Sequence, residues 1–163
     1  MANGDVYTLD STVASGVKWA TPTTYTSLAI RMHVPLFRAV LSNVVAGTNP
    51  SSTVLTLTNW GTSFVALGAE AIVTMDNWTT LRLIVRAANT AAQSGTVSVE
   101  LYDGTSSLVT LTFSDTTQQN RSTSTAVSTS GLKQIYARVK SSVGTDDPQF
   151  NYIGFELERS VQT

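Results

Sequence analysis

The chain has 163 residues, of which 42% are hydrophobic and only 13% charged, with a net charge of −1 and no cysteine. That length suits one domain of ordinary size with a short appendage. The near-neutral balance, with no run of Lys or Arg, excludes the clustered positive charge that displaces counterions from nucleic-acid phosphates. The lack of cysteine excludes a disulfide framework and thiolate chemistry.

No apolar stretch approaches the ~20 residues of a membrane span, so no membrane insertion is expected. The N-terminus lacks the basic-then-apolar layout of a signal peptide. Polarity comes from Thr and Ser, together roughly a quarter of the residues, and Val is abundant. β-Branched side chains suit a pleated surface and are stiff in helices, so the composition favours strands.

Two short apolar pieces open the chain, Val6 to Leu9 and Val17 to Ala20, separated by small or polar residues and followed by Pro22. Neither can bury itself. From about residue 25 the pattern has period two. Leu28, Ile30, Met32 and Val34 alternate with Ala29, Arg31 and His33, which predicts a half-buried strand. The stretch 35–45 is ambiguous. Pro35 could open a helix carrying Phe37, Val40, Leu41 and Val44 and ending at Gly47, or the run is an apolar strand pair broken at Ser42-Asn43. Weaker strand signals follow at 53–58 and 69–75.

Clear alternation returns with Leu81, Leu83 and Val85, then Val97, Val99 and Leu101, then Val109, Leu111 and Phe113. The stretch 114–130 has almost no large apolar residue except Val127, which predicts a long exposed loop or an irregular edge strand. Ile135, Ala137 and Val139 form the next row, and Ile153, Phe155 and Leu157 the last. Turn chemistry punctuates these runs at Asn59-Trp-Gly61, Asp76-Asn77, Asp103-Gly104, Ser130-Gly131 and Gly144 to Pro148. Short strands at this spacing predict an antiparallel sandwich or barrel.

Residues suited to catalysis are few. His33 is the single histidine, and no elbow-type glycine pattern surrounds any serine that could complete a Ser-His-Asp arrangement. Glu156 and Glu158 share a strand face about 7 Å apart, a spacing compatible with a pair of glycosidase carboxylates. Those carboxylates flank a substrate from opposite sides, however, so a solvated or Arg-paired edge is the expectation here. Asp146-Asp147 sits in a turn and is not expected to hold a metal. The expectation is a protein with no catalytic residue, no metal and no cofactor. Sugar binding asks for an exposed aromatic face beside hydrogen-bonding side chains. Trp60, in a turn, and Tyr102 and Tyr136, on faces opposite the aliphatic rows, are the carbohydrate-binding candidates. Tyr152 lies on such a face as well, and Trp78 leads into a strongly alternating strand, as a core residue would.

The segment Gly4-Asp-Val-Tyr-Thr-Leu-Asp-Ser-Thr-Val-Ala-Ser-Gly-Val-Lys-Trp-Ala20 resembles a motif of bacteriophage tail fibres and related virion proteins that joins a shaft to a distal domain. Tyr7 and Val17 depart from the motif's usual Leu but keep an apolar group. More loosely, Trp78–Arg86, Val97–Asp103 and Gly131–Lys140 resemble strands of galactose-binding-like jelly-roll modules, found in phage fibres and carbohydrate-binding proteins.

These resemblances and the residue patterns together imply an all-β protein. Residues 1–24 are expected to form an extended connector for oligomerisation or attachment, and 25–163 an antiparallel jelly-roll β-sandwich head. Val6, Leu9, Val17 and Trp19 are the expected contacts of the connector, packing around a threefold axis as a homotrimer. The implied function is that of a non-enzymatic structural protein on the surface of a phage virion, bound to capsid or tail proteins. Its head would meet a host-surface glycan. A capsid decoration or head fibre without a receptor role is the first alternative, favoured if the chain is a whole gene product. A free-standing carbohydrate-binding module is the second.

Overall fold

A computed structural model describes residues 6–9, 17–20, 27–38, 54–57, 60–89 and 95–162. They form strands β1 (Val6–Leu9), β2 (Val17–Ala20), β3 (Ser27–Arg38), β4 (Leu55–Thr56), β5 (Val65–Thr74), β6 (Thr80–Asn89), β7 (Val97–Tyr102), β8 (Ser107–Phe113), β9 (Gln119–Ala126), β10 (Leu132–Ser141) and β11 (Pro148–Gln162). No helix occurs among the described residues.

The chain divides into two compact units, the larger spanning Arg31–Arg159 and the smaller containing β1 and β2. In the smaller unit β1 and β2 form an antiparallel ladder in the register Val6↔Ala20, Tyr7↔Trp19, Thr8↔Lys18 and Leu9↔Val17.

The larger unit is a sandwich of two sheets, ordered β5-β10-β7-β8 and β3-β11-β6-β9, with the short β4 also paired to β11. Setting β4 aside, the hydrogen-bonded pairs β3–β11, β5–β10, β6–β9 and β7–β8 join first strand to last, second to next-to-last, and so inward. A long antiparallel ribbon folded at its middle gives those four pairs. Rolling it adds the contacts β11–β6 and β10–β7 and divides the strands between two sheets, which is the jelly-roll arrangement.

The predicted aliphatic rows face one another between the sheets. Leu81, Leu83, Val85, Ile153, Phe155 and Leu157 from one sheet meet Val97, Val99, Leu101, Ile135, Ala137 and Val139 from the other, all essentially inaccessible to solvent. Phe113 of β8 meets Phe150 of β11 edge to face across the layer, ring centroids 6.3 Å apart. The row in β3 is less evenly buried: Met32 and Val34 pack on the core, whereas Leu28 is 56% exposed.

Three ambiguities of the sequence are resolved locally. Pro35 lies within a strand: β3 runs through it to Arg38, and residues 39–45 lie outside the described residues. A proline is tolerated there because β3 is at the edge of its sheet, where one side of the backbone has no ladder to join. The weak signal at 69–75 belongs to a longer strand, β5. Its register against β10 slips between Tyr136↔Glu70 and Arg138↔Ala66, around Gly68 with φ of +72°. This bulge interrupts the alternation that would have revealed the strand. The polar stretch 114–130 contains β9, the edge strand of the five-stranded sheet. Arg121, Thr123 and Thr125 alternate as its half-buried positions. The Arg121 guanidinium lies 4.7 Å from the centre of the Phe113 ring, beside the Asp115 carboxylate. A charged group turned inward on an edge strand discourages pairing with another chain.

Candidate binding site on the five-stranded sheet

The outward positions of β3, β11, β6 and β9 carry three sets of polar contacts. The Arg31 Nε donates to Glu158 at 2.6 Å. His33 presents Nδ1 to Glu156 at 3.4 Å, and Arg82 approaches the other oxygen of the same carboxylate at 3.8 Å. Arg82 also donates to Ser122 at 2.9 Å, and Arg86 to the side-chain oxygen of Asn120 at 3.3 Å. Registers Glu156↔Arg82, Arg82↔Ser124 and Arg86↔Asn120 bring these groups together from strands far apart in sequence. Glu156 and Glu158 therefore stand on one face, each beside a cation.

Tyr152 joins the set around Glu156 through His33, its hydroxyl hydrogen-bonded to the ring Nε2. With a proton on Nδ1 the imidazole turns an N–H toward Glu156 and leaves Nε2 to accept the tyrosine O–H. The two rings lie within 17° of parallel, centroids 5.8 Å apart. Burial, reinforced by the negative charge of Glu156 and opposed by Arg38, raises the Tyr152 phenol above its ordinary pKa and keeps the O–H in place.

Tyr152 reaches along β11 across Gly154. A methyl group added at Gly154 would lie 2.1 Å from the tyrosine oxygen and 2.8 Å from the Val34 carbonyl oxygen. The absence of a side chain at this position lets the tyrosine lie down.

Beside Tyr152 opens a groove of about 570 Å³ lined by Arg38, Val54, Arg86, Gln118, Gln149, Asn151 and Tyr152. A register shift between Phe150 and Tyr152 in the β11–β6 ladder leaves Asn151 as an extra residue. That bulge restores the inward row at Ile153 and turns Asn151 toward the groove, where its side-chain oxygen accepts from Gln118.

No protein-family model and no curated protein matches this chain. The site is therefore read from its own chemistry.

The expected sugar-binding residues are distributed differently. Tyr102 and Tyr136 meet on the outer face of the four-stranded sheet, edge to face, with centroids 5.4 Å apart. The Arg138 guanidinium covers one face of Tyr102 at 3.4 Å from the ring centre. Arg138 also pairs with Glu100, whose side chain is nearly inaccessible. Trp60 is not part of this pair. It is half-buried against the core, its indole N–H donates to the Val139 carbonyl at 2.8 Å, and its backbone bridges to Asp146. Trp78 likewise packs on the core and donates to the Thr74 carbonyl at 3.1 Å.

Asp146 is buried and accepts from the Ser141 hydroxyl. Among the described residues no group of three or more His, Asp or Glu side chains is placed to hold a metal ion. Val6, Leu9, Val17 and Trp19 all lie in the β1–β2 ladder, which pairs Leu9 with Val17 but Trp19 with Tyr7.

Sequence reasoning named Tyr152 as an outward aromatic but not its companions in the groove. The signal for Arg86 was its outward place in the alternating stretch 81–86. Gln149 and Asn151 gave no signal, because the bulge that places Asn151 is invisible in the pattern.

Proposed function

We propose that this protein is a surface component of a phage particle, a short homotrimeric fibre without enzymatic activity. Its opening segment joins copies of the chain to one another and to capsid or tail proteins, and its jelly-roll head projects to meet a host-surface glycan. The observation that carries this reading is the segment 4–20. Its sequence resembles the connector of phage fibres, and its two short strands pair with each other in a ladder that is marginal in water by itself. Such a ladder gains from packing against further copies. The groove beside Tyr152, with its two arginines and three side-chain amides, favours a head that binds a ligand over one that only projects.

Gold-labelled antibody imaging of intact particles from the source phage tests the reading. Label at the tail tip is the expected result for a receptor-binding fibre. Label over the head would convert the proposal to a capsid decoration, and particles without label would overturn it in favour of a free-standing module.

A further inference from the structure

The groove beside Tyr152 has an unusual charge balance. Two of its lining residues are arginines, Arg38 and Arg86, and none is a carboxylate. Elsewhere four arginines are matched with acids, Arg31 with Glu158, Arg82 with Glu156, Arg121 with Asp115 and Arg138 with Glu100, while Arg159 lies over the Trp78 ring. Among the described residues no carboxylate lies within ion-pairing distance of Arg38 or Arg86. The side-chain contact found for Arg86 is with the neutral amide of Asn120, which uses one of the five N–H donors of its guanidinium.

Apart from Val54, the remaining lining groups are suited to hydroxyls. Gln118 donates to the Asn151 oxygen, which leaves the Gln118 oxygen as an acceptor and the Asn151 NH₂ as a donor. Gln149 adds a third amide. Tyr152, tied through its hydroxyl to His33 and laid across Gly154, is a ring held in place before any ligand arrives. Guanidinium forks match planar anionic groups, amides match vicinal hydroxyls, and a fixed aromatic ring matches the apolar face of a pyranose.

From this juxtaposition we infer that the groove binds an anionic saccharide, a sugar bearing a carboxylate or a phosphate, with Arg38 and Arg86 holding the anion and Tyr152, Asn151 and Gln118 holding the ring. This deepens the glycan-binding part of the function proposed above and rests on it. It does not require that the protein sit on a particle.

Titration of the purified full-length chain tests it by calorimetry or ligand-observed NMR. The probes are short oligogalacturonates, the matching neutral galactose oligomers and galactose 1-phosphate. The expected result is saturable binding of an acidic probe that weakens as salt is raised, with the neutral oligomers at least about tenfold weaker. Binding of the uronate alone marks the carboxylate as the recognised anion, and binding of the sugar phosphate alone marks the phosphate. Arg38→Gln and Arg86→Gln should each lower affinity by about tenfold or more, the scale of a lost charge-assisted hydrogen bond. Lys140→Gln, on the opposite sheet beside Phe64, removes the same charge and should change affinity less than about twofold.

Equal binding of acidic and neutral probes, binding of none of them, or loss of affinity in the Lys140 variant equal to that in the Arg variants would overturn the assignment. The measurement is made on free protein, so its failure leaves the particle-labelling result untouched, and the reverse also holds.

Discussion

A methyl group does not fit at Gly154. The nearest obstacles are the Tyr152 hydroxyl, which could swing away, and the Val34 carbonyl, which is backbone in the neighbouring strand. Gly154→Ala should therefore expel Tyr152 from its place across the strand, break its bond to His33 and strain β3 against β11. Overpacking of this kind costs about 1–3 kcal/mol. A thermal melt should record the loss, and the His33 ring protons should shift in NMR spectra. Gly154→Ala with an unchanged His33 signal would mean that Tyr152 is not held as described.

Two aspartates make stability depend on acid. Asp103 closes its turn by accepting the backbone N–H of Ser106 at 2.8 Å and of Thr105 at 2.9 Å, and Lys133 lies 3.4 Å away. The Ser106 bond chiefly, then those of Thr105 and Lys133, hold its pKa below the ordinary aspartate value against the opposing effect of burial. Asp115 is lowered in the same sense, first by Gln119 and then by Arg121. For a carboxylate whose folded pKa is depressed, the unfolded chain binds the proton more readily. Its contribution is therefore complete above the unfolded value of about 3.9 and disappears as pH falls through the folded value. The melting temperature should drop below about pH 4. Asp103→Asn should flatten that drop, while its amide oxygen still closes the turn. Tyr152 acts in the opposite direction: its raised pKa gives stability below about pH 10 that is lost in stronger alkali.

Cross-strand pairing decides how the elements of this sandwich carry charge. Arg138 of β10 stands directly opposite Glu100 of β7, and the Glu100 side chain is only 3% exposed. Removing the cation leaves a buried carboxylate with its desolvation uncompensated and uncovers Tyr102. Arg138→Ala should therefore cost about 3 kcal/mol, the lower end for a broken buried pair, because Arg138 keeps some exposure. Arg138→Ala combined with Glu100→Gln should recover much of that loss. Chemical denaturation of the two variants measures the difference, and equal stability of both would show that the pair carries no coupling.

The same register logic explains what could be read from residues alone. Strands β6, β7, β8 and β10 were legible because their inward rows are aliphatic and unbroken. β9 was not legible as a regular strand, since Arg121 and threonines occupy its alternate half-buried positions at the sandwich margin. β5 was only half legible, because its bulge at Gly68 changes the phase. The groove was hidden for a related reason: its residues come from β3, the residue before β4, β6, β11 and the turn before β9, and no local pattern states which outward residue faces which.

At the scale of the whole molecule, the register of the β1–β2 ladder says which positions a trimer contact would use. Alternation along that ladder puts positions 7, 9, 17 and 19 on one side and positions 6, 8, 18 and 20 on the other. The first set is Tyr, Leu, Val and Trp. The second contains Thr8 and Lys18. The proposed trimer would therefore use the first side, with Trp19 as its largest contributor. A tryptophan buries about 150–250 Å², which at ~25 cal/mol per Å² is several kcal/mol per chain before ordering costs. Folding coupled to association makes the melting temperature rise with protein concentration. The chain should sediment as a trimer and show that rise. Trp19→Ala and Leu9→Thr should abolish both effects, and Val6→Thr, on the other side, should weaken them less. A melting temperature that is independent of concentration in the unaltered chain, with a monomer in sedimentation, would remove the trimer from the proposal. Trp19 would then be a residue that serves its own chain. If trimerisation holds, three copies of the groove would present themselves together, and weak affinity at each would suffice for firm attachment to a repeating cell-surface glycan.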